Sequence, residues 1–326
     1  MNKSQKYNLN SVKSNKFFGI VTVAIIWSFC ILTLIGVSEL FLEKFMGLGN
    51  PPIYDSSPLY GYRPLPDREY SRYQGTEIRF NNLALRAETD WDENIEDKIL
   101  FLGDSVTYGG SYIDNTELFS FLAVKSLGDR YISGNGGVNA WGVENLYGLI
   151  VESNFTPAQI YVTTLPEGDF YRGLVRLHGL PFFNNDPPFA LAELWYYFCY
   201  RQNNKRYTHW QSYGNEQTES FVVEKAVEKL KAMETFLKEK GFKHLIFITP
   251  TKQQVTEGTE KDALVNDLLV KYELSPYYIA DAIDTLNLSK QEKQNLYFDN
   301  IHLTKKGHEI WSEIIASKLR ETLPTQ

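Results

Sequence analysis

The sequence predicts a three-layer α/β/α domain built on a parallel sheet, preceded by one N-terminal transmembrane helix. An uncharged apolar run near the start of the chain is long enough to span a bilayer. Beyond residue 97, short continuous apolar runs alternate with amphipathic segments, which is typical of parallel strands joined by helices. The chain has 326 residues, of which 43% are hydrophobic and 22% charged, so it can bury a substantial core.

The apolar run, residues 17–38, is predicted to be an uncleaved signal anchor. A buried globular helix would carry one polar face, and a cleaved signal peptide would have a shorter run with a small-residue cleavage site. Residues 1–16 hold four lysines and no acid, whereas Glu39 and Glu43 follow the run. The positive-inside rule therefore predicts a cytoplasmic tail at 1–16 and a large domain in the periplasm or outside the cell.

The rest of the chain is predicted to hold a stalk or linker at residues 39–75 and one domain at 76–326. Proline, glycine and tyrosine dominate the linker, which has little periodicity. An insertion at 173–219 is rich in aromatic residues and interrupts the alternation of the domain, either as a small packed subdomain or as a lid over the substrate. A net charge of −7 argues against nucleic-acid binding, and two cysteines exclude a disulfide framework.

Each element of the domain follows from a local pattern. Apolar or alternating runs predict strands at 77–80, 98–102, 131–133, 160–165 and 244–249. Helical periodicity predicts helices at 116–127, 142–151, 221–240, 260–272 and 304–323. The helix at 221–240 is the strongest of these, since Val222, Ala226, Leu230, Met233 and Leu237 share one face and Gly241 follows as a stop signal.

A candidate nucleophile, Ser105, follows the first core strand directly. In an open parallel sheet, sites form where strands end and helices begin. Gly103 permits a tight turn there and Asp104 can form hydrogen bonds within it. Gly103, Asp104 and Ser105 are ordinary turn residues, so this motif alone is weak.

Asp299 and His302 form the second candidate element, just before the last helix. A serine hydroxyl barely ionises at neutral pH and needs an adjacent base, for which imidazole is suited. A carboxylate three residues earlier can bind the other ring nitrogen and fix its tautomer. Asp299 could instead cap the last helix, with His302 on the surface, but the two elements together favour a Ser105–His302–Asp299 triad.

From residue 98 to the C-terminus, the chain resembles the SGNH (GDSL-type) hydrolase family in its membrane-anchored bacterial form. Residues 103–109 resemble the family's first block and imply Ser105 as nucleophile, while Asp299-x-x-His302 resembles the last block and implies the orienting acid and the base. Residues 78–86 are similar to a lead-in strand of anchored members. The resemblance implies a flavodoxin-like α/β/α sandwich and the hydrolysis of ester bonds.

The two middle blocks depart from the family pattern, and both concern the oxyanion hole. The block-two glycine falls on Ala140, which keeps its backbone N–H and would serve provided that its φ is negative. The block-three asparagine falls on Gly168, which has no side-chain donor. Losing one oxyanion-hole donor typically slows catalysis by about 10²–10³. The amide of Asn139 or Asn135, or the N–H of Gly168, is expected to compensate alongside the N–H of Ser105.

The sequence therefore predicts a serine esterase or acyl hydrolase whose substrate is an O-acylated glycan or lipid at the cell surface. Two alternatives stay open: an extracytoplasmic O-acetyltransferase or acetyl-handling protein for surface polysaccharide, and a catalytically impaired binding module on the same fold. No cofactor is expected, and no metal site, since the scattered histidines lack the spacing of a ligand set. The predicted partners are the membrane, through the N-terminal helix, and the acylated substrate, with no nucleic acid; the sequence names no protein partner.

Overall fold

The computed structural model describes residues 3–92, 97–177, 182–203 and 218–323. The chain begins with a single long helix, α1 (Lys3–Met46). Its segment Gly19–Met46 is long and apolar enough to cross a membrane by length and composition, and within it an 18-residue stretch with a mean hydropathy of 2.6 has no residue buried in the protein. The predicted candidate anchor is therefore present as a helix, and this helix continues into the predicted linker.

Two antiparallel strand pairs follow α1. The first pair is β1 (Tyr54–Ser57) with β2 (Gly61–Pro64), and the second is β3 (Arg68–Ser71) with β4 (Glu77–Phe80). Tyr54, Tyr62 and Tyr70 are buried in the folded domain. Much of the segment at 39–75 thus packs against the domain, and the tyrosines that dominate its composition supply that packing. The strand predicted at 77–80 is confirmed as β4.

The main sheet of the described chain has five parallel strands in the order β6-β5-β7-β8-β9. These strands are β5 (Lys98–Gly103), β6 (Ile132–Asn135), β7 (Ile160–Pro166), β8 (Lys243–Thr249) and β9 (Tyr277–Tyr278). The chain leaves β5 first towards β6 on one side and then returns to β7 on the other. The order therefore reverses at β5, and the carboxyl ends of strands at such a switch point form a crevice.

Helices cover both faces of this sheet. The longer ones are α3 (Phe119–Lys125), α5 (Ala190–Asn203), α6 (Glu219–Glu239), α8 (Ala263–Lys271), α9 (Ile279–Thr285) and α11 (Lys305–Thr322), and the short ones are α2 (Ser105–Tyr108), α4 (Val143–Tyr147), α7 (Lys252–Glu257) and α10 (Lys290–Asn295). Along β5, Leu100 and Leu102 enter the core shared with α4, α6 and α8, whereas Ile99 and Phe101 enter the core shared with α3, α9 and α11. This alternation confirms the predicted three-layer α/β/α fold.

The aromatic insertion divides into a packed part and an exposed part. Phe182 is buried against Tyr54 and Tyr62, with ring centroids 5.2 and 5.0 Å away. The N–H of Tyr54 donates to the carbonyl of Phe183 at 2.8 Å, which attaches the insertion to the first strand pair. Phe189 and, on helix α5, Trp195, Tyr196 and Phe198 are exposed. Residues 178–181 and 204–217 of the predicted insertion, including Trp210, lie outside the described residues.

Candidate active site

Ser105 is the first residue of α2, immediately beyond the carboxyl end of β5. Asp104 is the N-cap of this helix: its Oδ1 accepts a hydrogen bond from the N–H of Val106 at 2.8 Å. A Cβ at Gly103 would collide with the Thr107 side chain and the carbonyl of Thr164, so only glycine fits this turn. Because the turn is this tight, the Ser105 hydroxyl stands at the partly exposed edge of the sheet.

The loop at 298–303 carries Asp299 and His302 and precedes α11. The N–H of Phe298 donates to the carbonyl of His302 at 2.8 Å, and the N–H of Lys252 donates to the carbonyl of Asn300 at 2.7 Å. Thr304 caps α11 by accepting from the N–H of Gly307. Since Thr304 caps the helix, the carboxylate of Asp299 is available for other partners.

These two segments meet although 197 positions separate them in the chain. His302 Nε2 lies 2.8 Å from Ser105 Oγ, and His302 Nδ1 lies 2.7 Å from Asp299 Oδ2. The second oxygen of Asp299, Oδ1, accepts from the N–H groups of Ile301 and His302, each at 2.8 Å. The serine, the imidazole and the carboxylate thus form one continuous chain of hydrogen bonds, the geometry of a nucleophile, its base and an orienting acid.

The hydrogen bonds that Asp299 accepts keep its carboxyl group ionised. Partial burial tends to raise the pKa of Asp299, but the hydrogen bonds from the His302 ring and from the backbone N–H groups of His302 and Ile301 outweigh it, so its pKa lies below the ordinary value. An ionised Asp299 accepts a hydrogen bond from a protonated His302 Nδ1, and in this tautomer Nε2 can accept the hydrogen bond of the Ser105 hydroxyl.

The four residues predicted for the oxyanion hole differ in exposure and in the partners of their N–H or amide groups. Ser105, at the first helical position, has a backbone N–H with no partner inside α2. The N–H of Ala140 donates to no other group in the described part of the chain. Gly168 is exposed, in a short 3₁₀ turn (Glu167–Tyr171) that follows β7. Asn139 turns its amide towards Tyr54, whose hydroxyl lies 3.4 Å from Nδ2.

The condition on which Ala140 was expected to replace glycine is not met. Its φ is +65°, in the left-handed region that glycine adopts freely and L residues do not. The backbone therefore retains a glycine-type conformation at this position while the sequence places a methyl group there. The condition of a negative φ is therefore not fulfilled, but Ala140 keeps its backbone N–H in the conformation that a glycine would adopt here, so this N–H stays a candidate oxyanion donor.

Asn135 is buried and is not available as a donor. Its Nδ2 donates to the carbonyl of Thr107 at 2.6 Å and to the hydroxyl of Ser120 at 3.0 Å, and its Oδ1 accepts from the N–H of Gly137. Both amide hydrogens are therefore used to hold α2 and α3 against β6. The alternative that assigned Asn135 to the oxyanion hole is wrong for this reason.

Sequence reasoning missed a buried arginine, Arg86, that supports the nucleophile turn. Its guanidinium donates to the carbonyls of Tyr108, Gly110 and Ile113 and to Asn115 Oδ1. Four donors thus hold the loop that follows α2. The sequence signal that could have revealed this role is an arginine at the end of the lead-in segment 78–86. A charged side chain is rarely buried without hydrogen-bond partners of this kind.

A second missed group lies behind Ser105. Asp104 and Asp169 are both fully buried, and Arg172 Nη1 lies 2.6 Å from Asp169 Oδ1 and 3.5 Å from Asp104 Oδ2. Burial, followed by repulsion from Asp104, raises the pKa of Asp169 well above its ordinary value, while Arg172 opposes this shift. The arginine joins the turn after β5 to the turn after β7, and so fixes the spacing between Ser105 and Gly168.

Two aromatic rings border the His302 loop. Tyr112 and Phe298 stack with centroids 4.5 Å apart, and the Tyr112 hydroxyl donates to the carbonyl of Leu303 at 3.0 Å. Phe298 is 65% exposed. These rings offer an apolar surface at the loop that carries Asp299 and His302. Among the described residues, no group of three or more His, Cys, Asp or Glu side chains could hold a metal ion.

Comparison with known proteins finds similar folds among solved structures, but no family model and no curated protein matches the chain. A lipase/acylhydrolase from Enterococcus faecalis is 12% identical with a TM-score of 0.43, covering 71% of this chain and 99% of its own. A member of the lipolytic protein G-D-S-L family from Veillonella parvula is 12% identical with a TM-score of 0.39 (69% and 99%). Est24, a carbohydrate acetylesterase from Sinorhizobium meliloti, is 12% identical with a TM-score of 0.41 (70% and 100%).

Proposed function

We propose that the protein is a serine esterase or acyl hydrolase, tethered to a membrane by α1. The observation that carries the proposal is the continuous hydrogen-bonded chain from Ser105 Oγ through the His302 ring to Asp299. A serine hydroxyl becomes a useful nucleophile when a base accepts its proton, and the base is effective when a carboxylate fixes its tautomer. The serine hydroxyl, the imidazole and the carboxylate all lie at the carboxyl edge of the sheet.

The reaction follows from these positions. Ser105 Oγ attacks the ester carbonyl as His302 Nε2 takes the hydroxyl proton, and Asp299 stabilises the imidazolium that forms. The tetrahedral oxyanion accepts hydrogen bonds from the N–H groups of Ser105 and Ala140. His302 then gives its proton to the departing alcohol. Water, activated by the same imidazole, releases the acyl group from Ser105 and restores the free hydroxyl.

Asn139 is proposed as a third oxyanion donor. Its amide has two hydrogens, and the long 3.4 Å contact with the Tyr54 hydroxyl is easily exchanged for a shorter one with a developing oxyanion. Asn139→Ala is then expected to lower kcat by about 10²-fold or more. Unchanged turnover in Asn139→Ala, in a preparation where Ser105→Ala abolishes it, would leave the two backbone donors as the whole oxyanion hole.

The substrate is proposed to be an O-acylated glycan or lipid at the cell surface. The support is the apolar helix, which confines the site to the neighbourhood of a membrane, and the four lysines of 1–16, which favour a cytoplasmic tail and an external domain. Protease treatment of intact cells tests this orientation: an external domain is digested without lysis, and an internal one is protected.

The catalytic proposal is tested by labelling the full-length protein in detergent with a fluorescent fluorophosphonate. We expect covalent labelling and hydrolysis of p-nitrophenyl acetate in the wild type, and neither in Ser105→Ala. Ser133→Ala, which removes another half-buried serine hydroxyl, is the matched control and keeps both. Equal background rates in the wild type and Ser105→Ala would overturn the proposal and favour a binding module. Product formation that requires an added acceptor alcohol would instead indicate an acyltransferase.

A further inference from the structure

The end of the apolar helix is bonded to the start of α5. Glu39, which directly follows the predicted span 17–38, accepts hydrogen bonds from the N–H of Ala190 at 2.5 Å and from the N–H of Leu191 at 2.9 Å. These are N–H groups of the first turn of α5, where a carboxylate satisfies orphan donors and interacts favourably with the helix dipole. Helix α5 therefore begins at the level where α1 leaves the apolar span.

A buried ion pair fixes this junction. Arg72 Nη2 lies 2.7 Å from Glu193 Oε1, and both side chains are almost completely buried. Glu193 Oε2 also accepts from the N–H of Gly49 at 2.5 Å, and Arg72 Nη1 donates to the carbonyl of Gly47 at 2.5 Å. Because each partner is desolvated and satisfied by the other, breaking one contact is costly. The orientation of α5 relative to the end of α1 is therefore fixed.

The opposite side of α5 is exposed and apolar. Leu194, Trp195 and Phe198 are 43%, 61% and 52% exposed, and their spacing places them on one side of the helix. We call these three residues the α5 apolar face. The rings of Trp195 and Phe198 stack with centroids 5.6 Å apart. A contiguous group of large apolar side chains on a protein surface indicates an interaction site.

Helix α1 also carries exposed aromatic side chains beyond Glu39. Phe41 and Phe45 are 51% and 63% exposed, and their rings stack with centroids 5.2 Å apart. Phenylalanine is typical of the apolar face that an interfacial helix buries at the boundary between headgroups and acyl chains. One stacked aromatic pair thus follows Glu39 along α1, and another follows Ala190 along α5.

We propose that the α5 apolar face lies in the headgroup layer of the same membrane that α1 spans, so that the domain is held on the lipid surface by α5 as well as tethered by α1. The inference rests on the proposed membrane anchor. At a rise of about 1.5 Å per residue, Trp195 and Phe198 lie only about 8 and 12 Å along α5 from Ala190. The headgroup layer is about 5–8 Å thick on each side of the hydrocarbon core, and interfacial helices bury their apolar face about 5–10 Å deep.

A lipid surface fits the α5 apolar face better than a protein partner does. The exposed aromatic side chains are placed beside a bilayer by bonds within this chain, so no second molecule has to be recruited to cover them. Between Ala190 and Tyr200, the only ionisable side chain with a full charge at neutral pH is Glu193, which is buried in its ion pair. The exposed side therefore presents no charge that a headgroup layer would exclude.

The proposal is tested by spin labelling of the full-length protein in phosphatidylcholine–phosphatidylglycerol vesicles. Leu194→Cys and Phe198→Cys are made separately in a background in which Cys30 and Cys199 are serine. Val270→Cys on α8, an apolar position 69% exposed, is the matched control, and a Cys30-only protein reports on α1. Collision rates with oxygen, which partitions into lipid, and with a water-soluble nickel chelate give the depth of each label.

Labels at 194 and 198 are expected to show an oxygen-to-nickel collision ratio at least threefold above that at 270, and below that at Cys30. A ratio at both positions equal to that at 270 would overturn the proposal. So would protection from both reagents with spin–spin broadening that disappears on dilution with unlabelled protein, since that result assigns the face to a second copy of the chain. A Cys30 label that collides freely with the nickel chelate would refute the anchor itself, and this inference with it.

Discussion

Replacing Gly168 by asparagine is expected to raise the rate of ester hydrolysis. The turn after β7 carries no side-chain donor at this position, although it lies beside the turn that carries Ser105 and is joined to it through Arg172. One oxyanion donor contributes about 3–4 kcal/mol to the transition state, which corresponds to about 10²–10³ in kcat. Gly168→Asn places a side-chain donor at this position in addition to the proposed donor Asn139, so a gain of up to this size is expected.

The structure indicates that Gly168→Asn hardly changes the stability of the fold. A Cβ built on Gly168 meets no heavy atom within 4 Å, the residue is exposed, and its φ lies outside the left-handed region. An exposed substitution of this kind changes the free energy of unfolding by about 0.5 kcal/mol at most. A change in kcat therefore reports on the new amide and not on a damaged fold.

The assay compares kcat for p-nitrophenyl acetate in the wild type, Gly168→Asn and Gly168→Asp, with thermal unfolding as the check on the fold. Aspartate matches asparagine in shape but offers an acceptor in place of the donor, so it is expected to lower kcat. Equal rates in all three proteins would refute the reasoning, because position 168 would then not face the oxyanion. A gain shared by asparagine and aspartate would refute it too, since hydrogen-bond donation could not be the cause.

Three further outcomes follow from the structure. Asp299→Asn is expected to lower kcat by about 10⁴, because an amide favours the wrong tautomer of His302; a loss below tenfold would contradict the orienting role. Ala140→Gly relieves the strain of φ +65° and should raise the free energy of unfolding by about 0.5–1 kcal/mol in urea titrations, whereas Ala84→Gly, at φ +55°, shows whether relief is general. Burial lowers the pKa of His244 to about 4 and that of His308 to about 3, so both stay neutral in the folded protein while the unfolded chain protonates them below about 6.5. Stability is therefore complete above that pH and lost as the pH falls, by about 3 kcal/mol between pH 7 and 5.5 in the same titrations; a flat profile would contradict the burial of these rings.

The layered fold could be predicted from the sequence because its cause is local. Strand β5 reads as an unbroken apolar run since helices cover both of its faces, and α6 shows one clean apolar stripe since only one of its faces is buried. Strands β1, β2 and β3, which lie within 54–71, were not predicted. Their burial depends on tyrosines that meet the aromatic insertion, and contacts between segments so far apart leave no periodic signal.

The positions of Ser105, Asp299 and His302 were predictable for a different reason. Each lies directly beside a strand end or a helix start, and the carboxyl ends of parallel strands meet at one edge of the sheet. The backbone at Ala140 was not predictable, since φ at one residue depends on how its loop crosses α2. A Cβ at Gly137 would collide with the backbone N–H of Tyr108, so the loop approaches α2 too closely to relax.

The two buried arginines show why motif spacing alone could not describe the site. Arg86 holds the loop after α2 by donating to three carbonyls, and Arg172 links the acid of the first turn to the acid of the second. The partners of each arginine come together only in the folded chain, so spacing in the sequence does not indicate the role of either side chain. The sequence carries the reacting groups in short motifs, but the groups that hold them at a working distance are dispersed along the chain. The precision of this site therefore depends on residues whose role only the folded chain discloses.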